Sequence, residues 1–409
     1  MPIAPYLTLL RSNRDFSRLY VAQLASFAGD WFATVALLGL ALELSGSSTV
    51  ASLVLVLQTG GFAAATPLAG MLADRLDRRR LLVAADLARI PIALSFLLVR
   101  GPETLWVAFA GVALLAVGAA IFEPTSSAAL PNLVDEDELP TANVLIGSAW
   151  GTMLAVGAAL GGLVAVTLGR DAAFVVNALS FGVSAALIVG IGRPLQLPHE
   201  EGHARVGAIA GVRHALRFVS GHRRVLSLVL SKTSFGVGTG VVALLAVFGT
   251  DVYDAGDAGI GALFAARGLG ALIGPFAARR AMGTDDRALI RGIAVSFVLV
   301  AGCYAVFPGM PTLLLAALFV FGAHCGGGAQ WTLSTLGLQR ATPDAIRGRV
   351  FSLDYGMVTM TIAVSTLLAG WLADGIGPRP AVLVMVALIV AAGAGWVRLS
   401  WPLLRDGAA

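Results

Sequence analysis

Charged side chains are scarce in this sequence, at 13% of 409 residues, where a water-soluble chain carries roughly a quarter. That shortage excludes a surface that faces water over most of the molecule. Lysine is almost missing: Lys232 stands alone among 28 lysines and arginines. The arginines lie in short loops between apolar runs and build no basic face on a soluble domain, which excludes a nucleic-acid footprint. Their dominance reads as the trace of a GC-rich, bacterial genome. Only two cysteines occur, Cys303 and Cys325, both inside apolar segments as packing residues, and they carry no information about redox compartment. No Cys/His group has metal-ligand spacing, so no metal is expected. No Gly-x-x-x-x-Gly-Lys-Ser/Thr loop is present, which excludes ATP hydrolysis by that route. Nothing else points to catalysis or to a cofactor. The opening MPIAPYLTLLRSNRDF lacks a basic-then-apolar leader with a cleavage site, so the first apolar run is expected to be a true span.

What the chain does contain is apolar. Hydrophobic residues make up 57%, mean hydropathy is +0.84, and there are 49 glycines, a number that suits membrane helices packing closely or bending. Runs of about twenty apolar residues cross a bilayer. They are read near 16–44, 48–73, 81–99, 105–129, 141–167, 172–191, 225–248, 258–279, 289–307, 311–337, 350–372 and 380–402. The predicted fold is therefore an all-α membrane protein of twelve transmembrane helices. An even number of spans puts both termini on one side.

Arginine placement assigns that side. With the termini cytoplasmic, Arg75, Arg78, Arg79 and Arg80 fall inside, as do Arg213, Arg217, Arg223, Arg224, Arg287, Arg291, Arg347 and Arg349. Only Arg100, Arg170 and Arg379 fall outside, and Asp251, Asp254 and Asp257 gather on an outer loop. The acidic run Asp135-Glu136-Asp137-Glu138 lies inside against this trend, but acids count little in the rule. The implied location is a bacterial inner membrane, crossed many times. The expected division is a six-span half over 1–191, a cytoplasmic linker over 192–224 and a second six-span half over 225–409. Within the linker Val206, Ile209, Val212, Leu216 and Val219 recur at helical spacing among arginines, the pattern of an amphipathic helix on the inner leaflet. The halves align at an offset of about 208: Pro67 with Pro275, Arg79 with Arg287, Leu81-Leu82 with Leu289-Ile290. Two parallel six-span repeats bind substrate between them near the midplane.

The most specific motif joins the second and third spans: Gly70-Met71-Leu72-Ala73-Asp74-Arg75-Leu76-Asp77-Arg78-Arg79-Arg80. It resembles the signature loop of the major facilitator superfamily, Gly-x-x-x-Asp-Arg-x-Gly-Arg-Arg, with Asp77 in place of a glycine. The resemblance implies a conformational latch made by Gly70, Asp74, Arg75, Arg78 and Arg79, in which Asp74 meets Arg78 and a facing helix N-terminus. The alternative reading is a positive-inside anchor. In the fifth span Gly157-Ala158-Ala159-Leu160-Gly161-Gly162 resembles the family's antiporter signature Gly-Pro-x-x-Gly-Gly, with alanine for proline. Close packing alone would also place Gly157, Gly161 and Gly162 there. The arginine that many drug exporters of the family carry in the fourth span is absent between Val107 and Gly118. Gly29-Asp30-Trp31, Glu123-Pro124-Thr125, Leu130-Pro131-Asn132-Leu133-Val134, Asn177-Ala178-Leu179-Ser180-Phe181 and Arg347-Gly348-Arg349-Val350 are similar to the branch holding macrolide-efflux proteins and the enterobactin exporter, over essentially the whole chain.

Ionisable groups inside spans are expensive and are read as functional by default. Asp30, halfway along the first span, is the first candidate for taking and releasing a proton or holding a substrate cation; Glu123 is the second. Asp86 and Arg89 are three apart and share a helix face, as a structural pair or as part of the site. Lys232, Arg267 and His324 lie in spans of the second half, with Gln330, where a cation facing an acid across the cavity would make a proton-sensitive switch. His324 is equally read as a hydrogen-bonded packing residue. Trp31, Phe32, Phe235, Phe264, Trp331 and Tyr355 line a cavity for bulky substrates or simply pack. The expected function is a secondary active, proton-coupled exporter of small amphipathic, drug-like molecules by alternating access. Its partners would be substrate, protons and the lipid bilayer, and it would act as a monomer. A siderophore or secondary-metabolite exporter is the alternative cargo, and a non-transporting sensor or assembly factor on the same scaffold is the alternative class.

Overall fold

The structure is a computed structural model that describes residues 4–196, 208–282 and 286–405. Every regular element among them is helical. In chain order they are α1 (Ala4–Ser12), α2 (Arg14–Ser45), α3 (Ser48–Arg75), α4 (Arg78–Ser95), α5 (Leu105–Ala129), α6 (Leu139–Leu168), α7 (Arg170–Val189) and α8 (Ala208–Gly221). They continue with α9 (Arg223–Gly236), α10 (Val241–Val247), α11 (Gly256–Met282), α12 (Asp286–Val306), α13 (Leu313–Ala341), α14 (Asp344–Ile376) and α15 (Pro378–Arg405). Twelve spans result, because α9 and α10 share the seventh, Arg223–Val252, and α1 and α8 are short helices outside the set.

Helix ends are set by local chemistry. Asn13, Ser47, Asp77 and Thr312 each accept a bond from a first-turn backbone N–H with their side chains, at 2.9–3.4 Å, satisfying donors that have no partner inside the helix. Asp77, the departure from the signature pattern, thus caps α4 by accepting from Arg80 N. The fifth and sixth spans part at Gly169 alone, with Arg170 already helical. Gly169 and Gly377 both have φ +87°, a value that needs glycine, and they stand 208 positions apart (377 less 169). The same offset that aligns the two halves in sequence therefore recurs in backbone conformation, at the break before each last span.

The contacts divide the chain into two compact units. One comprises 1–200 with 249–265, the other 201–248 with 266–409. In the first unit α2 packs on α6 and α7, α3 on α5, and α4 on α5 and α7. In the second, α12 packs on α13 and α15, and α9 lies against α13, α14 and α15. Helix α8 lies in the stretch expected as a linker and rests on α9 and α14. It buries Ala215 and Val219, whereas Leu216, assigned to the same apolar face, is about half exposed. Val206 and the side chains of Ile209 and Val212 lie outside the described residues.

Small residues set the close approaches of α6. A side chain at Gly157 would meet Ala28 Cα at 3.2 Å, and one at Gly161 would meet Phe32 Cα at 2.8 Å, both backbone atoms of α2. At Gly162 it would meet the Asp257 carbonyl at 2.6 Å and Gly261 Cα at 3.1 Å, on the part of α11 that belongs to the same unit. Backbone cannot yield as a flexible side chain can. Gly161→Val should therefore cost about 1–3 kcal/mol by overpacking, seen as a lower thermal midpoint in detergent. Gly147→Val, where nothing lies within 4 Å, should leave the midpoint unchanged.

Candidate functional site

In the first unit a guanidinium sits among carboxyls. Arg89 on α4 donates to Asp30 Oδ2 on α2 at 2.7 Å, to Asp86 Oδ1 one turn back at 3.4 Å, and to Ser26 Oγ at 2.9 Å. Its Cζ lies 3.9 Å from the centre of the Phe181 ring on α7, which adds a cation–π contact. Arg89 is 2% exposed and Asp86 fully buried, while the Asp30 side chain keeps 19% exposure. Glu123 on α5 lies within electrostatic reach of Asp30 and Arg89, but its carboxyl receives no direct hydrogen bond or ion pair among the described residues. Glycines make room: a Cβ at Gly118 would fall 2.7 Å from the Arg89 stem, and one at Gly29 would strike Ser180 Oγ and Asn177 Oδ1. So the fourth span, which lacks the family arginine, supplies a glycine against which the third span lays its own. Pro124 follows Glu123 inside α5 and withholds one backbone donor.

Asp30, Arg89 and Glu123, expected as separate candidates, are thus one cluster, and Asp86 joins it. In the second half, Arg267 and His324 lie within electrostatic range of each other, and Lys232 pairs with an acid. Lys232 on α9 donates to Asp354 Oδ2 on α14 at 2.6 Å, with the two side chains 3% and 1% exposed. Its acid lies in the same unit. His324 Nε2 instead meets the Tyr304 hydroxyl at 2.8 Å, and Arg267 is in electrostatic range of Tyr304. Gln330 donates to Ser231 O at 2.7 Å. Asp354 is inconspicuous in the sequence because it closely follows Arg347-Gly348-Arg349-Val350, which has the look of a loop; its place inside an apolar run is the signal that could find it. Of the aromatics, Trp31, Phe32 and Phe264 are buried packing residues, while Trp331 and Tyr355 keep an open face.

A third ionic group is equally hard to find from sequence. Arg170 at the start of α7 holds Asp257 through Nε–Oδ2 at 2.7 Å and Nη2–Oδ1 at 3.3 Å, and also Glu43 at the end of α2. Asp257, expected in an acidic loop with Asp251 and Asp254, is in the first turn of α11 and 6% exposed. A recess of about 540 Å³ opens beside this pair, and Arg100 and Asp171 form a second pair at its edge.

The signature loop is described in part. The side chains of Gly70, Met71, Ala73, Asp74 and Arg75 lie outside the described residues, so the expected Asp74–Arg78 contact does too. Arg78 donates to the Ala128 and Leu195 carbonyls at 2.7 and 3.3 Å, and Arg79 to the Arg193 carbonyl at 2.8 Å. Both arginines therefore tie the segment that follows the sixth span to the first unit.

Twelve apolar spans, with paired charges inside the helices, define a polytopic membrane protein. Residues 19–359 match the family model described as Major Facilitator Superfamily, and the chain belongs to that superfamily of secondary transporters, which are not enzymes. It is 29% identical over 419 aligned positions to the multidrug efflux pump Tap of Mycobacterium tuberculosis, covering 97% of this chain and 95% of that one. It is 25% identical over 390 positions to the putative bacilysin exporter BacE of Bacillus subtilis, covering 93% and 92%. Among solved structures, a bacterial homolog of the human lysosomal transporter Spinster superposes with a TM-score of 0.76 at 15% identity, covering 97% and 98%. A POT family transporter superposes at 0.77 and 11%, covering 96% and 97%; at such identities these show the fold alone.

Removing one member of a buried ion pair strands the other, a loss of about 3–5 kcal/mol, whereas replacing both by apolar residues is often neutral. Lys232→Met should accordingly lower the thermal midpoint strongly, and Lys232→Met with Asp354→Leu should recover most of it.

Proposed function

We propose that the protein is a proton-coupled exporter of small amphipathic molecules, working by alternating access, with Asp30 as the residue that exchanges its proton. The observation behind this is that three carboxyls, Asp30, Asp86 and Glu123, are grouped around one guanidinium. Such a cluster is electrically neutral only when two of the carboxyls carry protons, since no second cation pairs with them among the described residues. Low-dielectric surroundings penalise every uncompensated charge. The cluster thus has a built-in capacity for protons.

Geometry distributes the roles. Asp86, fully buried beside Arg89, is the permanent counter-ion. Asp30 is partly exposed and shares Arg89 with it, so it can accept a proton and leave without stranding a buried cation. Glu123, within range of both, is the second proton acceptor and the relay. Export and amphipathic cargo are supported by the similarity to Tap, and a secondary metabolite is the alternative cargo that the similarity to BacE favours. The arginine bias supports a bacterial inner membrane with cytoplasmic termini. Twelve candidate spans carried by one chain support a monomer. The signature loop keeps its latch role, and the anchoring of the 190–196 segment by Arg78 and Arg79 gives that loop something to pull on.

The test is transport in proteoliposomes under an imposed pH gradient, with a panel of drugs and siderophores. Wild type should show cargo-dependent proton flux. Asp30→Asn should abolish gradient-driven transport and keep energy-independent counterflow, which shows that the fold and cargo site survive. Unaltered gradient-driven transport by Asp30→Asn would overturn the assignment, and a chain that moves no proton with any cargo would favour the sensor reading.

The Arg170–Asp257 pair fits the same cycle as a fastening of residues 256–265 to the first unit. Cysteines at positions 170 and 257 joined by a cross-linker should stop transport, and reduction of the link should restore it. Arg170→Asp with Asp257→Arg should retain more activity than either change alone.

A further inference from the structure

The Lys232–Asp354 pair is buried, yet neither partner is saturated. A lysine ammonium has three N–H donors, and one of them goes to Asp354 Oδ2. The ammonium otherwise faces rings, Trp331 at 5.0 Å and Phe351 at 6.0 Å from their centroids. Asp354 Oδ1 is buried without a hydrogen-bond partner among the described residues. A purely structural ion pair that deep is expected to fill its remaining lone pairs and donors, since each buried unmet group is destabilising. Spare donor and spare acceptor therefore lie side by side. Next to them Trp331 and Tyr355 meet edge to face at 6.0 Å and keep 36% and 48% of their surface open. An apolar, rigid aromatic platform thus borders a buried polar pair that leaves two donors and one acceptor unused.

Charge balance selects what fits. The pair has no net charge, so a ligand carrying one sign only would leave an uncompensated charge in a low-dielectric span. A ligand with both signs keeps the sum at zero: its carboxylate takes the free donors of Lys232 and its ammonium takes Asp354 Oδ1. We propose that Lys232, Asp354, Trp331 and Tyr355 form a cargo-binding subsite for amphipathic zwitterions, molecules that join an ammonium and a carboxylate to an aromatic or apolar body. The rings hold the apolar body, and the ion pair reads the two charges. This rests on the transporter reading and names the class of cargo, independently of how transport is driven.

The experiment is equilibrium binding to the full-length protein in detergent, with no gradient, so its failure is separate from a failure of proton coupling. The probes are the dipeptide Phe-Phe, its N-acetyl form and its C-terminal amide, which differ in net charge but share the aromatic body. The expected result is binding of Phe-Phe about tenfold or more tighter than either masked form, equivalent to about 1.4 kcal/mol. Trp331→Ala should weaken all three alike and leave their ratio intact. Lys232→Met with Asp354→Leu should erase the preference while the protein stays folded. Equal affinity for the three probes, no saturable binding of Phe-Phe, or a preference surviving in the folded double variant would each overturn the proposal. The wild-type comparison decides even if the double variant does not fold.

Discussion

A guanidinium held at 2% exposure inside a membrane span imposes a condition on everything around it. Without a carboxylate, a guanidinium there would be an unpaired charge in hydrocarbon. The first unit meets that condition twice over, with Asp86 on the same helix and Asp30 on α2. Two acids on one cation mean that losing either contact does not leave Arg89 unpaired. The glycines at 118 and 29, the Phe181 face and Ser26 complete the setting. Each is a small concession of packing or polarity that lets a large cation lie between helices.

The second unit repeats the helices but not the chemistry. Gly169 and Gly377 break the chain with the same φ at positions 208 apart, before the sixth and twelfth spans. The charges follow a different plan. In the first unit a third-span arginine reaches a first-span acid; in the second a seventh-span lysine reaches an eleventh-span acid. The two units thus carry different buried charges on a similar frame. Arginine and lysine differ as buried cations, since the planar fork of Arg89 serves two carboxylates at once and the compact ammonium of Lys232 leaves donors to spare.

Much of this is legible in the sequence, for physical reasons. Span number follows from hydropathy because apolar runs of about twenty residues satisfy their backbone in a bilayer as helices. The repeat offset, a helix in the linker and the candidacy of Asp30, Arg89 and Glu123 are also readable, since ionisable residues in apolar runs stand out. Partnerships are not. Asp86 and Arg89 announce themselves at i, i+3, but nothing local links Arg89 to an acid 59 positions away or Lys232 to one 122 away. Such pairs depend on which helix faces meet. Asp257 is hidden for another reason: Asp251 and Asp254 make the stretch look like a solvated acidic loop, whereas Gly256, at φ +52°, starts α11 just before it.

The glycines of α6 connect these observations. Gly157 and Gly161 bring α6 against α2, the helix that carries Asp30, and Gly162 leaves no room for even a methyl group beside the Asp257 backbone. Asp257 in turn is held by Arg170, one residue beyond the Gly169 break that ends α6. Thus a single helix of small residues runs from the wall of the charge cluster to the Arg170 ion pair. Packing this close is stiff, because its contacts are backbone on backbone and cannot be relieved by rotating a side chain. A change in the Asp30–Arg89 distance that shifts α2 would press directly on α6. At its far end the contacts change from backbone packing to the Arg170–Asp257 ion pair, which side-chain rotation alone can break.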